Sequence, residues 1–251
     1  METITLDFKN YEQISLCCCD EISEPIKKKW LQNHMQDGVV YRRSAEDASF
    51  MEYMPGEDAW CPVEAPQVMF IHFFHVDQNA KAAKTLMREC IADCRIKGRK
   101  GLAAMVSESP RPLLPEAELL HSFGFQSCDQ WGKYQLYYLP LEEDAEPPHF
   151  MINTENVSSR KGVTVYYSDQ CPSISSRIET ILSWVRHCGE PYEIIKVDIP
   201  REKEDLDRDD IIRPKEMPHP YTMYAVFLDG RFLTDDINQN LETIFKGKDI
   251  L

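Results

Sequence analysis

Apolar positions along the 251 residues repeat with two periods, one near two and one near 3.6. Alternation predicts strands over residues 3–8, 39–42, 49–54 and 134–139. The run VMFIHFFHV, residues 68–76, is apolar on both faces and predicts a fully covered strand, as does the shorter stretch 102–106. Helical spacing predicts helices over 21–35, 80–97 and 116–123. Ile22, Ile26, Trp30 and Leu31 form the apolar face of the first, and Gly38 and Gly124 end the first and third. Residues 142–161, EEDAEPPHFMINTENVSSRK, lose this periodicity and read as a linker around Pro147-Pro148. The pattern then restarts. Strands are expected over 163–167 and 192–197, and a helix over 173–188. A charged helix or loop is expected over 201–210, a hairpin across Asp229-Gly230, and a last helix over 237–245. The expected class is α/β (α+β) in two units, residues 1–141 and 162–251, joined by residues 142–161.

Composition narrows the functions open to such a chain. The net charge is −14, and acidic residues outnumber basic ones in both halves. Without a Lys/Arg stripe, nucleic acid and anionic membrane are poor partners. No apolar run approaches the roughly 20 residues of a membrane span, and the N-terminus lacks a secretory pattern. The nine cysteines are irregularly spaced and three are consecutive, which suits a reducing cytoplasm better than a disulfide framework. Cys90 and Cys94 with Cys17–Cys19 are conceivable metal ligands, but C-x-x-C and finger spacings are missing, so no metal site is expected.

Two constellations carry chemistry. The first is the strand 68–76 running into the helix DQNAKAAKTLMREC. A helix N-terminus aims backbone N–H groups and positive dipole at one point, which suits a pyrophosphate; an ordinary βα unit has the same pattern. Glu52, Glu64 and His72 are candidate proton acceptors nearby in sequence, with a buried hydrogen-bonded His the alternative for His72. Trp60 with Glu52 is a candidate pocket for a cationic acceptor, or Trp60 is a structural cap. The second is VTVYYSDQCPSISSRIETIL, which puts Cys171 at a helix start, where the dipole favours a thiolate. Ile174 stands where a C-x-x-C motif has its second thiol, so Cys171 is a monothiol, a ligand-binding group or structural.

The segments HVDQNAKAAKTLMRECIADCRIKGRKGL and ELLHSFGF make residues 1–141 resemble the GCN5-related N-acetyltransferase (GNAT) family. The resemblance implies a mixed twisted sheet with flanking helices. It also implies acetyl-CoA held at a Q/R-x-x-G-x-G/A turn. That turn falls on Val76, Gln78, Asn79, Ala80, Lys81 and Ala82, with Asp77 where Gln or Arg is expected and Ala80 and Ala82 at the glycines. Lys81 and Lys84 could offset the charge of Asp77. Leu120 stands where the family often has an acid tyrosine, leaving Tyr134 or His121 as substitutes. EYMPGEDAWCPVEAP resembles a subfamily whose acetyltransferase-like half precedes a YoaP-like domain, and residues 162–251 resemble that thioredoxin-like domain. The implied activity is transfer of acetyl from acetyl-CoA to a small amine by direct attack. The catalytic candidates are Glu64, His72, Tyr134 and Cys171, and the acceptor candidates are Glu52 and Trp60. A binding or sensing protein on the same fold, and a monothiol redox role for Cys171, are the alternatives. The oligomeric state is open, a homodimer included.

Overall fold

The computed structural model describes residues 2–77, 79–158, 160–201, 205 and 208–246. Among them, the first unit is a seven-stranded sheet. Its strands are β1 (Thr3–Thr5), β2 (Val40–Ser44), β3 (Phe50–Pro55), β5 (Val68–His75), β6 (Gly101–Ser107), β7 (Gln126–Trp131) and β8 (Tyr134–Pro140). They lie in the order β1-β2-β3-β5-β6-β8-β7. Only β5 and β6 pair in parallel, because α2 (Ala80–Ile96) crosses between them; the other pairs are antiparallel. As an apolar-on-both-faces run requires, β5 is buried along its length except at His75.

The two faces of this sheet have different covers. Met69, Ile71, Phe74, Leu102 and Ala104 pack with Leu86, Cys90 and Cys94 of α2 and Leu120 of α3 (Ala117–Ser122). Phe70, Phe73, Ala103 and Met105 belong to the other face, with Trp30 and Leu31 of α1 (Ser23–His34). A bulge lies between them. The β3–β5 register passes from Glu52↔Phe73 to Tyr53↔Ile71, so His72 is the extra residue and turns to the same side as Phe73.

The second unit is a five-stranded sheet, β12-β11-β10-β13-β14, of β10 (Val163–Tyr167), β11 (Tyr192–Val197), β12 (Ile211–Ile212), β13 (Tyr224–Leu228) and β14 (Arg231–Thr234). Strands β10, β11 and β12 are parallel, and β13 and β14 return antiparallel. The β13–β14 turn puts Asp229 and Gly230 at φ 46° and 74°, the left-handed pair a two-residue hairpin needs. Its helices are α4 (Glu155–Ser158), α5 (Pro172–Ser175), α6 (Ile178–His187) and α7 (Leu241–Lys246).

Several sequence expectations are corrected. The helix expected over 173–188 is two helices. Ser175 and Ser176 turn their hydroxyls onto the carbonyls of Cys171 and Ser173, at 3.3 and 3.4 Å, and the chain breaks before Ile178. The last helix starts at Leu241 rather than near 237, because Asp236 accepts the Asn238 N–H in a local turn. Strand β7 went unpredicted because QSCDQW is an edge strand without buried alternation. The charged stretch 201–210 lies largely outside the described residues.

The expected linker is a packed strap. His149–Phe150 forms β9, antiparallel to β4 (Val63–Glu64). Phe150 N–H donates to Asp129 at 2.7 Å, Met151 N–H donates to the Pro62 carbonyl at 2.8 Å, and Val157 is buried. The two units share one apolar core: Trp60, Phe73 and Met105 belong to the same cluster as Val165, Cys171, Ile174, Tyr221 and Met223.

Candidate functional site

The parallel pairing of β5 with β6 covers only Val68–Ile71 against Gly101–Ala104. Beyond that point β5 continues to His75 and β6 to Ser107 without pairing to each other, so the sheet opens in a V. The Phe74 N–H, freed by this opening, is taken by the Leu113 carbonyl at 3.4 Å. Leu113 stands at φ 64°, a left-handed conformation that a leucine adopts only under restraint.

At the end of β5 the chain turns into α2. Asn79 caps the helix, its side chain accepting from Lys81 N–H at 3.0 Å. The Asp77 N–H donates to Ser49 at 3.0 Å. A cleft of about 520 Å³ lies here, lined by Val76, Asp77, Ala80, Ala83 and Lys84 and, across from them, α3 with Phe123. Of the cofactor-binding candidates, Val76 and Ala80 line this cleft. Asn79 acts as the cap, Ala82 is buried against the core, and Lys81 is exposed outside the lining. Gln78 lies outside the described residues. Lys84 and Asp77 put a cation and a carboxylate among the residues lining the same cleft. Leu120 is buried, and His121 meets the Tyr137 hydroxyl at 3.2 Å.

The other candidates are elsewhere, on the sheet face that the second unit covers. Glu52 is fully buried, paired with Lys27 Nζ at 2.5 Å, and accepts from the Gln170 amide at 2.9 Å. It is an anchor between the units rather than a carboxylate facing a pocket. Trp60 is buried with its ring edge-on to Trp30 and near His34, and its carbonyl accepts from Thr222 at 2.7 Å. His72 accepts the Trp60 N–H on Nε2 at 3.1 Å. Burial, with the nearby charges of Lys27 and Lys215, lowers its pKa to about 3, so it is a neutral acceptor already in use rather than a base. Glu64 is exposed and meets His149 at 3.2 Å.

Tyr134 is also buried, and its hydroxyl donates to Asp235 of the second unit. Burial and the Asp235 carboxylate push its pKa up, away from acid–base work at neutral pH. Asp235 also receives Arg111 Nε at 3.1 Å and Lys133 Nζ at 2.7 Å, and lies 3.5 Å from His219. Burial would raise the Asp235 pKa, but Lys133 and the other donors outweigh it and hold it low. Cys171 is buried completely, and desolvation pushes its thiol up to about 11 although the backbone N–H groups of Ile174 and Ser173 favour the thiolate. The expectation of a helix-activated thiolate is thereby corrected: α5 is a single short turn, and desolvation outweighs its dipole.

Sequence reasoning missed Lys27, which pairs with Glu52 inside the first unit, and Gln170, Asp235, His219 and Lys215, which join the units. Lys215 Nζ donates to the carbonyls of Gly56 and Val63, at 2.8 and 2.6 Å. Gly56 is required there, since a Cβ would sit 2.1 Å from the Ala65 carbonyl oxygen. Among the described residues, no group of three or more His, Cys, Asp or Glu side chains is arranged to hold a metal ion. No described helix is long and apolar enough to cross a membrane.

No protein-family model matches the chain. It is 30% identical over 239 residues to YoaP of Bacillus subtilis, described as an uncharacterized N-acetyltransferase, with 91% of each chain covered. The chain belongs to the N-acetyltransferase family of YoaP. Among solved structures it is similar to the ribosomal-protein-alanine N-acetyltransferase of Brucella melitensis (14% identity, TM-score 0.40, 56% of this chain and all of that one). It is likewise similar to the PaiA N-acetyltransferase of Thermoplasma acidophilum in complex with coenzyme A (14% identity, TM-score 0.40, 56% of this chain and 99% of that one).

Proposed function

We propose that the protein is an N-acetyltransferase that takes acetyl from acetyl-CoA in the cleft at the start of α2 and passes it to a small amine. The observation that carries this reading is the V between β5 and β6, opening beside a helix N-terminus with Lys84 at its rim. A pocket of this size, apolar with a few polar groups, suits part of a cofactor-sized ligand. The phosphates lie toward the α2 N-terminus and Lys84, and the acyl end toward the opening of the sheet. The amine nitrogen attacks the thioester carbonyl, the C–S bond breaks, and the thiolate leaves with the proton the amine loses. The buried Glu52, His72 and Tyr134 are structural groups, so that proton passes to the departing thiolate without a side-chain relay. Membership of the YoaP family supports the reading. The chain works in the cytoplasm, without nucleic acid or membrane as partners, and as a monomer or homodimer.

The second unit is thioredoxin-like in this proposal. Its support is the β10–helix–β11 parallel unit followed by the β13–β14 hairpin and a last helix. Its role is to cover the acetyltransferase sheet and seat its loops, with Cys171 as part of the shared core.

Titration calorimetry of the whole protein with acetyl-CoA tests the donor assignment. Saturable binding is expected, weakened about tenfold by Lys84→Glu, since a charge reversal beside phosphates is worth on the order of 1–2 kcal/mol. Absence of binding at high micromolar acetyl-CoA would overturn it.

A further inference from the structure

The CCC run lies in the irregular connection between β1 and α1, at the edge of the interface between the units. Cys17, Cys18 and Cys19 are partly exposed and pack against the core cluster that contains Cys171. Cys18 Sγ and Cys19 Sγ are 3.8 Å apart, in contact as a weak hydrogen bond. The Cys17 N–H donates to the Tyr41 hydroxyl at 3.3 Å, which fixes the loop over β2. Behind it lies the buried Lys27, whose ammonium is shared by the Glu52 carboxylate and the face of Trp30 at 4.1 Å.

We propose that Cys18 and Cys19 are a dithiol exchange site for small-molecule disulfides, with Cys18 attacking and Cys19 resolving. The adjacent thiols supply the second sulfur that the Cys171 motif lacks, and unlike Cys171 they reach solvent. The electrostatics select Cys18. Its pKa is lowered, first by the S–H of Cys19 and then, against burial, by the Lys27 ammonium. Tyr41 adds a hydrogen bond, and Glu52 opposes. Cys19 is raised correspondingly by Cys18, by burial and by Glu24. Burial leads the upward shifts of Cys17, Cys61, Cys90, Cys94, Cys128 and Cys171.

The steps balance. The Cys18 thiolate attacks one sulfur of a disulfide RS–SR, forming a mixed disulfide and expelling RS⁻. Cys19 loses its proton and attacks the Cys18 sulfur, expelling the second RS⁻. The products are one Cys18–Cys19 bond and two RSH; the two protein thiols are oxidised and the small disulfide is reduced. Neighbouring residues hold their Cα atoms about 3.8 Å apart, closer than an ordinary disulfide prefers, so the bond is strained and reopens readily to excess thiol.

The test is exposure of the full chain to glutathione disulfide, followed by tryptic mass spectrometry of the peptide 10–27, which holds all three cysteines. The expected result is loss of two hydrogens from that peptide, retained in Cys17→Ser. In Cys19→Ser a glutathione adduct accumulates on Cys18. In Cys18→Ser oxidation slows about tenfold or more, as expected when the activated thiolate is removed. Loss of the reaction in Cys17→Ser, a link from Cys18 to Cys171, or adducts confined to Cys128 and Cys188 would each overturn the proposal. The wild-type and Cys17→Ser results decide it even where the other two variants fold poorly.

Discussion

His72 and His219 are buried imidazoles held neutral, and each gives up its protonation to stay inside. Burial lowers His72 to about 3 and His219 to about 4, the latter against the pull of Asp235. An unfolded histidine titrates near 6.5. The folded pKa values are the lower ones, so the unfolded chain binds more protons as pH falls. Stability is then full above about 6.5 and is lost from there down toward 4 and 3, each histidine contributing about 1.4 kcal/mol per pH unit inside its window. The thermal midpoint is expected to fall from pH 6.5 to 4.5, well before most carboxylates titrate, and His72→Gln is expected to flatten that slope. Equal slopes in the two proteins would remove His72 from the account. At the same scale, Lys27→Met leaves Glu52 buried and unpaired. A loss of about 3–5 kcal/mol is expected by chemical denaturation, with Lys27→Met/Glu52→Gln recovering part of it.

Elements show where sequence patterns inform and where they mislead. The run 68–76, the α2 spacing and the Asp229-Gly230 turn were legible because each has one physical solution: a doubly covered strand, an amphipathic helix, a left-handed hairpin turn. In α1 the apolar face was misread. The buried stripe is Ser23, Lys27, Trp30, Leu31 and His34, while Ile22 is 69% exposed. A lysine and a histidine lie inside because Glu52 and Asp198 come from distant segments that one-dimensional periodicity cannot see, with Asp37 adding a local partner to the histidine. The same blindness moved Glu52 and Trp60 from an expected acceptor pocket, and Tyr134 from an expected catalytic role, to the interface. The cleft at α2 was legible as strand-into-helix, but the V between β5 and β6 is a pairing property and left no local signature. Asn79 caps α2 next to the cleft without lining it. Asn79→Ala is expected to cost about 1 kcal/mol in stability. Because Asn79 is not part of the cleft lining, acetyl-CoA affinity is expected to hold while the melting temperature drops. A calorimetric titration beside a thermal melt separates the two effects.

At the scale of the molecule, the contacts between the units carry more chemistry than either unit's own motifs. Glu52 meets Gln170, Trp60 meets Thr222, Gly56 and Val63 meet Lys215, and Arg111, Lys133 and Tyr134 converge on Asp235. Arg111 is two residues before Leu113, whose carbonyl closes on Phe74 within the opening of the sheet. Asp235 therefore holds, through Arg111, the segment whose Leu113 carbonyl takes the Phe74 N–H. Separating the units would uncover Phe70, Phe73 and Met105 and leave Glu52 without the Gln170 amide. A single cooperative unfolding transition is expected by calorimetry, with matching calorimetric and van't Hoff enthalpies, in place of the two transitions of independent domains. Residues 1–141 alone are expected to aggregate or bind a hydrophobic dye, because the sheet face against the second unit is as apolar as an interior. Asp235→Asn should lower the melting temperature of the whole protein at neutral pH, where Asp235 is ionised, with the deficit shrinking as pH falls below about 4, where the unfolded carboxylate takes up its proton, and on through the lower folded value. Two separate transitions, or a monomeric and folded 1–141 fragment, would show the shared core to be dispensable.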